Sequence, residues 1–319
     1  MAKLLSVFSL YQLCLKLDYT IIPWCKIIKD LVMKKITFIG LGVMGSPMAG
    51  HLSQKGYDVT VYNRSVEKSK LWTEKYSGTF ATSIIEAVKG SDIVFSCVGN
   101  DSDLRDITLG PDKAFSAMKA GSLFVDHTTT SSDVAVEVNK KALEKNIYFL
   151  DAPVSGGEVG AIKGELTVMI GGENAIFEKV KPIMEAYAKK MTLIGGPGKG
   201  QVAKMVNQIC IAGLVQALSE AISFSEKSGL DTKKVLQAIS GGAAGSWQLS
   251  NRGESMVDRK FDFGFAVKLM RKDLNICLEH ANNENISLPI TSIVNQFYAE
   301  VERNGGSKFD TSSLLTRFD

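Results

Sequence analysis

One six-residue turn constrains this chain more than any other feature. Gly40-Leu41-Gly42-Val43-Met44-Gly45 follows the apolar run Ile36–Ile39 and opens a stretch with Pro47 in its first turn, where a helix tolerates proline. A strand that turns into a helix through this pattern uses its first glycine for the tight turn. The second lets the backbone approach a pyrophosphate, and the third lets helix and strand pack closely. The start of the helix then offers N–H groups that have no internal acceptor to an anion. Alone, G-x-G-x-x-G is a weak signal. Between a strand and a helix it predicts a dinucleotide site cradled by Gly40, Leu41, Gly42, Val43, Met44 and Gly45.

The surrounding pattern supports that context. Apolar runs at Val59–Tyr62, Ile93–Val98, Leu123–Asp126, Ile147–Leu150, Leu166–Ile170 and Met191–Ile194 alternate with segments of helical period, such as Ser83–Lys89 and Val134–Lys145. Gly90, Gly121 and Asn146 are placed to end three of these. Such alternation predicts a parallel sheet with helices on both faces, a Rossmann-like doubly wound α/β fold, over residues 34–196. From Gly200 the pattern turns helical, giving an all-α domain over 197–319. Gln201–Ser228 reads as one helix of about 28 residues, some 42 Å long, closed by Gly229, with Asp231 capping the next. Further helices are expected near Ser246–Asp258, Gly264–Asn283 and Leu288–Asn304. A chain of 319 residues, at about 150 per domain, fits this two-domain division.

Cofactor choice is written at the end of the second strand. A site for NAD commonly places a carboxylate there, about 20 residues past the glycines, for the ribose hydroxyls. This chain reads Asn63-Arg64-Ser65, with Asp58 at the opposite end of the strand. A guanidinium fork suits a 2′-phosphate, so NADP(H) is favoured and NAD(H) stays open. The net charge of +3, from 37 Lys+Arg against 34 Asp+Glu, and the lack of a basic stripe exclude a nucleic-acid partner. No unbroken apolar window reaches the length of a membrane span. With three histidines and no C-x-x-C or H-E-x-x-H, no metal site is expected.

Three more segments narrow the reading. Asp151-Ala152-Pro153-Val154-Ser155-Gly156-Gly157 runs on through Gly160-Ala161 to Gly164-Glu165-Leu166-Thr167. Gly198-Lys199-Gly200-Gln201-Val202-Ala203-Lys204-Met205-Val206-Asn207-Gln208 follows, then Lys272-Asp273-Leu274. With the glycine turn, these resemble the β-hydroxyacid dehydrogenase family over about residues 34–315. Asn207-Gln208, Ser240–Ser246 and Met256–Arg259 resemble its tartronate semialdehyde reductase branch. Asn63-Arg64 is similar to NADPH-preferring glyoxylate and succinic semialdehyde reductases. Gly99, where the fourth strand often ends in Leu-Pro, and His127, in place of a small residue, depart from the pattern.

The resemblance implies a reduction or oxidation of a small carboxylate-bearing aldehyde or hydroxyacid, with Lys204 as the catalytic group. An ammonium can stabilise a developing alkoxide and give it a proton if its pKa is brought down by burial or by a second cation, for which Lys272 is the candidate. Ser155, Gly156 and Gly157 can cradle a carboxylate. Asn207 lies one helical turn past Lys204 and, with Gln208, is a candidate for substrate binding. Val98, Gly99, Thr129 and Lys272 are expected on the cofactor side, with His127 structural rather than a base. Trp247 and Phe265 are candidates for the far wall of the pocket. The family implies a homodimer or homotetramer. Oxidation of 3-hydroxyisobutyrate is the alternative activity; Lys204 argues against imine reduction and a non-catalytic scaffold.

Residues 1–33 lack clean periodicity, and Tyr11, Gln12, Lys16 and Asp18 interrupt their apolar runs. An upstream in-frame start or a weakly structured extension is favoured over a degenerate targeting segment. The dispersed cysteines, Cys14, Cys25, Cys97, Cys210 and Cys277, fit reduced thiols of a cytoplasmic protein.

Overall fold

A computed structural model of the protein describes residues 34–319. The expectations for residues 1–33, Cys14 and Cys25 included, lie outside the described residues. Strand β1 (Lys35–Ile39) leads through the glycine turn into helix α1 (Gly45–Gln54). The chain continues as β2 (Asp58–Tyr62), α2 (Val66–Lys75), β3 (Thr79–Phe80), α3 (Ile84–Val88), β4 (Ile93–Ser96), α4 (Asp101–Thr108), α5 (Ala114–Ala117), β5 (Leu123–Asp126), α6 (Ser132–Leu143) and β6 (Tyr148–Asp151). These six strands are parallel in the order β3-β2-β1-β4-β5-β6. The strand order reverses between β1 and β4, the switch point at which such sheets bind ligands.

Successive side chains of each strand point to opposite faces, and the core divides accordingly. Phe38, Val61 and Val125 pack with Met48, Leu52 and Trp72 on one face. Ile39, Val94 and Phe124 pack with Leu104, Phe115 and Val138 on the other. Gly90, Gly121 and Asn146 all have positive φ, which is how each turns the chain back towards the sheet.

Past β6 the all-parallel expectation fails. Strand β7 (Val154–Ser155) and β8 (Leu166–Gly171) pair antiparallel, and β8 meets β6 antiparallel through Asp151 and Gly171. Helix α7 (Gly157–Lys163) between them has seven residues, too few for a parallel crossover of about a dozen or more. After α8 (Asn174–Met184), β9 (Ala188–Gly195) returns parallel to β8.

Helix α9 (Lys199–Lys227) follows, with 29 residues. Among the described residues it is the one helix long and apolar enough to cross a membrane, yet here it packs against β8 at one end and the helical half along its length. Ala212 and Val215 join Met270, Leu274, Val294 and Tyr298 in one core; Leu218 and Ile222 join Leu236, Leu249 and Met256 in another. The remaining helices are α10 (Thr232–Ile239), α11 (Trp247–Val257), α12 (Val267–Asn283) and α13 (Pro289–Arg303). Asp231 and Ser246 cap α10 and α11 through their side chains. A 3₁₀ segment, Thr311–Phe318, closes the chain.

Candidate active site

The glycine turn has the geometry its sequence demands. Gly40 has φ +94°, and a Cβ on it would strike the Cys97 carbonyl; a Cβ on Gly45 would collide with the Gly40 carbonyl oxygen. Nothing lies within 4 Å of where a Cβ on Gly42 would be, leaving open space of the kind a pyrophosphate needs. Asn63 also holds the turn itself. Its Oδ1 accepts from Leu41 N at 2.9 Å and its Nδ2 donates to Ser65 O at 3.1 Å. The amide thus helps shape the turn, with one N–H still uncommitted among the described residues, and Arg64, 91% exposed beside Asp103, faces outward.

Between the sheet and the helical half lies a cavity of about 570 Å³. It brings together the expected Met44, Val98, Gly99, Thr129, Lys204 and Lys272. Ser155, Gly156, Gly157, Asn207 and Gln208 line it too, with Trp247 and Phe265 on the far side. Gly40–Val43 and Asn63–Ser65 lie outside this cavity, at the ends of β1 and β2.

Lys204 is only 7% exposed, and its ammonium makes no hydrogen bond or ion pair with the described residues. Burial pushes its pKa below the usual lysine range, and the Lys272 ammonium adds to that; Asp273 and Cys277 pull the other way. Lys272 itself is engaged, donating to Thr129 O at 2.6 Å and Gly99 O at 3.1 Å, and it sits 3.2 Å from Asp273 Oδ1. The two candidates at 207 and 208 separate. Gln208 is buried, accepting from Asn207 Nδ2 at 2.8 Å and donating to Asp273 Oδ2 at 2.6 Å. Asn207 is half-buried, with its Oδ1 uncommitted among the described residues.

His127 has both ring nitrogens occupied. Nδ1–H donates to Ala152 O at 2.7 Å, so Nε2 accepts from the Tyr187 hydroxyl at 2.8 Å. Burial lowers its pKa to about 4, leaving a neutral ring stacked on Phe95 rather than a base. A Cβ at Gly99 would meet the Asp103 carboxylate.

Residues 35–195 match a family model described as the NAD binding domain of 6-phosphogluconate dehydrogenase. Residues 198–318 match one described as NAD-binding of NADP-dependent 3-hydroxyisobutyrate dehydrogenase. An uncharacterised oxidoreductase of Shewanella frigidimarina is 53% identical over 90% of this chain and 99% of its own. The 2-hydroxy-3-oxopropionate reductase of Escherichia coli is 38% identical over 88% of this chain and 96% of its own. The chain belongs to the β-hydroxyacid dehydrogenase family. It is an NAD(P)-dependent oxidoreductase of that family. In three dimensions it is similar to the 3-hydroxyisobutyrate dehydrogenase of Mycobacterium tuberculosis, with a TM-score of 0.82, 28% identity, and 90% and 99% of the two chains covered.

Within this family member, residues that sequence reasoning missed hold the helix bearing Lys204 in place. The Asp151 carboxylate, at the end of β6, accepts from Gly198 N at 2.7 Å and Gln201 N at 2.9 Å. It thus takes two of the N–H groups that a helix start leaves without partners. Gly200 packs so closely on the sheet that a Cβ would lie 2.7 Å from the Asp151 and Met169 carbonyl oxygens. Gln201, 1% exposed, spans to the loop after β5: its Nε2 donates to Thr128 O at 2.7 Å and its Oε1 accepts from Thr130 N at 3.1 Å. The helix that carries Lys204 is thereby tied to Thr128–Thr130, the loop that includes Thr129.

Proposed function

We propose that this enzyme is an NADPH-linked reductase of a small aldehyde acid, of the tartronate semialdehyde, glyoxylate or succinic semialdehyde class, and that Lys204 is its general acid. The observation that carries this is the buried, unpaired Lys204 ammonium in a cavity bordered by the Ser155–Gly157 turn. The open space above Gly42 fits a dinucleotide, for which Gly40–Gly45 would supply the cradle and Arg64 and Ser65 the 2′-phosphate contacts. A bound nicotinamide would supply the hydride.

The chain's own groups do the rest. Gly156 and Gly157 both have positive φ, exposing backbone N–H groups beside the Ser155 hydroxyl for the substrate carboxylate. Asn207 Oδ1 accepts from a substrate hydroxyl or from Lys204. As the carbonyl oxygen gains charge, Lys204 donates a proton to it, helped by an ammonium whose pKa burial has already lowered. Lys272 holds the Gly99 and Thr129 backbone together around the cofactor side. In reverse, neutral Lys204 takes the hydroxyl proton of a hydroxyacid. Oxidation of 3-hydroxyisobutyrate by that route is the second reading, favoured by the family description matched at 198–318.

The assembly is proposed as a homodimer or homotetramer. Val206, Leu214 and Phe224, the last 73% exposed, form an apolar stripe along α9 with exposed Ala217 and Ala221, a face suited to a second copy. Free Cys97, Cys210 and Cys277 fit a reducing cytoplasm. The test is NADPH oxidation with tartronate semialdehyde, glyoxylate, succinic semialdehyde and methylmalonate semialdehyde, repeated with NADH. Fast turnover of an unbranched aldehyde acid with NADPH supports the proposal. Turnover restricted to the branched substrate moves it to the second reading, and none with any refutes both.

A further inference from the structure

Three cations line the cavity: Lys204, Lys272 and Arg252. The first is assigned to proton transfer and the second is occupied by Gly99 and Thr129. Arg252 has no part in the mechanism, yet it is the most elaborately held of the three. Its guanidinium carbon lies 5.0 Å from the ring centre of Trp247 and 4.9 Å from that of Phe263, a cation held between two aromatic faces. Its Nε is 3.2 Å from Asp310 Oδ1, and its Nη1 donates to Asn251 O. Asp310 is 1% exposed and is already satisfied by Phe265 N, Ser312 N and the Ser312 hydroxyl. It anchors the arginine without needing it.

The side chain of Arg252 is 16% exposed. Its Nη2 has no acceptor among the described residues. Gly264 leaves room for it, since a Cβ there would lie 3.1 Å from Nη2 and would collide with Asp310 Oδ2. Trp247, 54% exposed at the rim, and half-buried Phe265 border the same wall. A guanidinium fixed by stacking and by one carboxylate, with its outer edge free in a cavity, is pre-organised for a second carboxylate.

We infer that Arg252 forms a distal anion subsite, so that, beyond the short monoacids proposed above, the cavity also takes an aldehyde acid or hydroxyacid bearing a second acidic group at the end remote from the Ser155–Gly157 turn. This rests on the proposed reading of that turn as the site of the first carboxylate. Arg252 then acts as a specificity-determining residue: a two-carbon aldehyde acid engages one end of the cavity, whereas a longer diacid engages both.

Direct binding tests this without turnover. Isothermal titration of the NADP⁺-saturated protein with butyrate, and with malonate, succinate and glutarate, compares one carboxylate with two at graded lengths. At least one diacid binds about 10- to 100-fold more tightly than butyrate, as a charge-assisted hydrogen bond supplies. Arg252→Gln removes most of that preference and Arg252→Lys, which keeps a cation beside Asp310, only part of it. Equal binding of butyrate and every diacid by the wild-type protein overturns the subsite while leaving the proposed reductase intact. A diacid preference that survives Arg252→Gln overturns the assignment to Arg252. Binding of no carboxylate at all overturns both the subsite and the cradle on which it rests.

Discussion

Gln201→Glu is the sharpest probe of how the two halves of the enzyme cooperate. Gln201 joins the helix bearing Lys204 to the loop at 128–130 with two hydrogen bonds, both buried. The substitution keeps the size and the bond from Thr130 N but replaces the donor to Thr128 O with a carboxylate oxygen, setting two acceptors 2.7 Å apart. A buried carbonyl left without its donor costs about 1–3 kcal/mol, and the repulsion adds to it. The pair relaxes by moving the loop away from α9, and Lys204 lies one turn further along that helix. A displacement of about 1 Å at a reacting group lowers rate about 100-fold. The expectation is therefore a kcat reduced about 10- to 100-fold and a raised KM for NADPH, with far-ultraviolet circular dichroism unchanged. Gln201→Ala should lose kcat similarly while melting earlier. Stopped-flow and steady-state NADPH oxidation read both parameters. Variants that melt earlier yet keep kcat and KM within about twofold would refute the coupling and leave Gln201 a structural residue only.

Asp126 supplies a pH prediction. Its Oδ2 is buried without a partner, and burial raises its pKa to about 7, above the ordinary ~3.9. The folded state keeps a proton that the unfolded state releases, so this contribution to stability is full below about pH 4. It declines by about 1.4 kcal/mol per pH unit up to about pH 7 and is level above that. Asp126→Asn, neutral throughout, should gain stability relative to wild type in urea titrations as pH rises from 5 to 7; a constant difference would refute the protonated state. Arg64→Ser should raise the KM for NADPH about tenfold and leave that for NADH unchanged, by the loss of one charge-assisted contact; equal changes for both would remove Arg64 from the 2′-phosphate. Phe224→Asp, on the exposed stripe of α9, should shift the mass in analytical ultracentrifugation towards a monomer, and an unchanged mass would free that face from any interface.

How much of this was legible depends on the range over which each cause acts. The parallel strands and the glycine turn are local: a period of two, a period near 3.6 and three glycines with distinct steric duties specify them. Strand β7 has two residues and β8 reverses direction through one bridged pair, features set by packing that no periodicity announces. At the proposed site, the resemblance pointed to Lys204 and the Ser155–Gly157 turn, which line one cavity in the structure. Gln201 was not legible, because its partners lie more than 70 residues earlier and a glutamine near a helix start is ordinarily solvated. Arg252 lies on an amphipathic helix, where an arginine is ordinarily solvated, and no periodicity announces that Trp247, Phe263 and Asp310 close around it. Asn63 adds a duty that its residue type did not announce, since its Oδ1 accepts from the Leu41 N–H.

The central claim is that Lys204 gives the proton, and the pH dependence of kcat for NADPH-driven reduction tests it most directly. Wild-type kcat should fall as pH rises through a pKa below the usual 10.5 of lysine, in the direction burial and Lys272 impose, because the acid form is consumed. Lys204→Arg should move that limb upward, and Lys204→Ala should lose about 10²- to 10⁴-fold in kcat while still binding NADPH. A Lys204→Ala enzyme with kcat within threefold of wild type and the same alkaline limb would contradict the account.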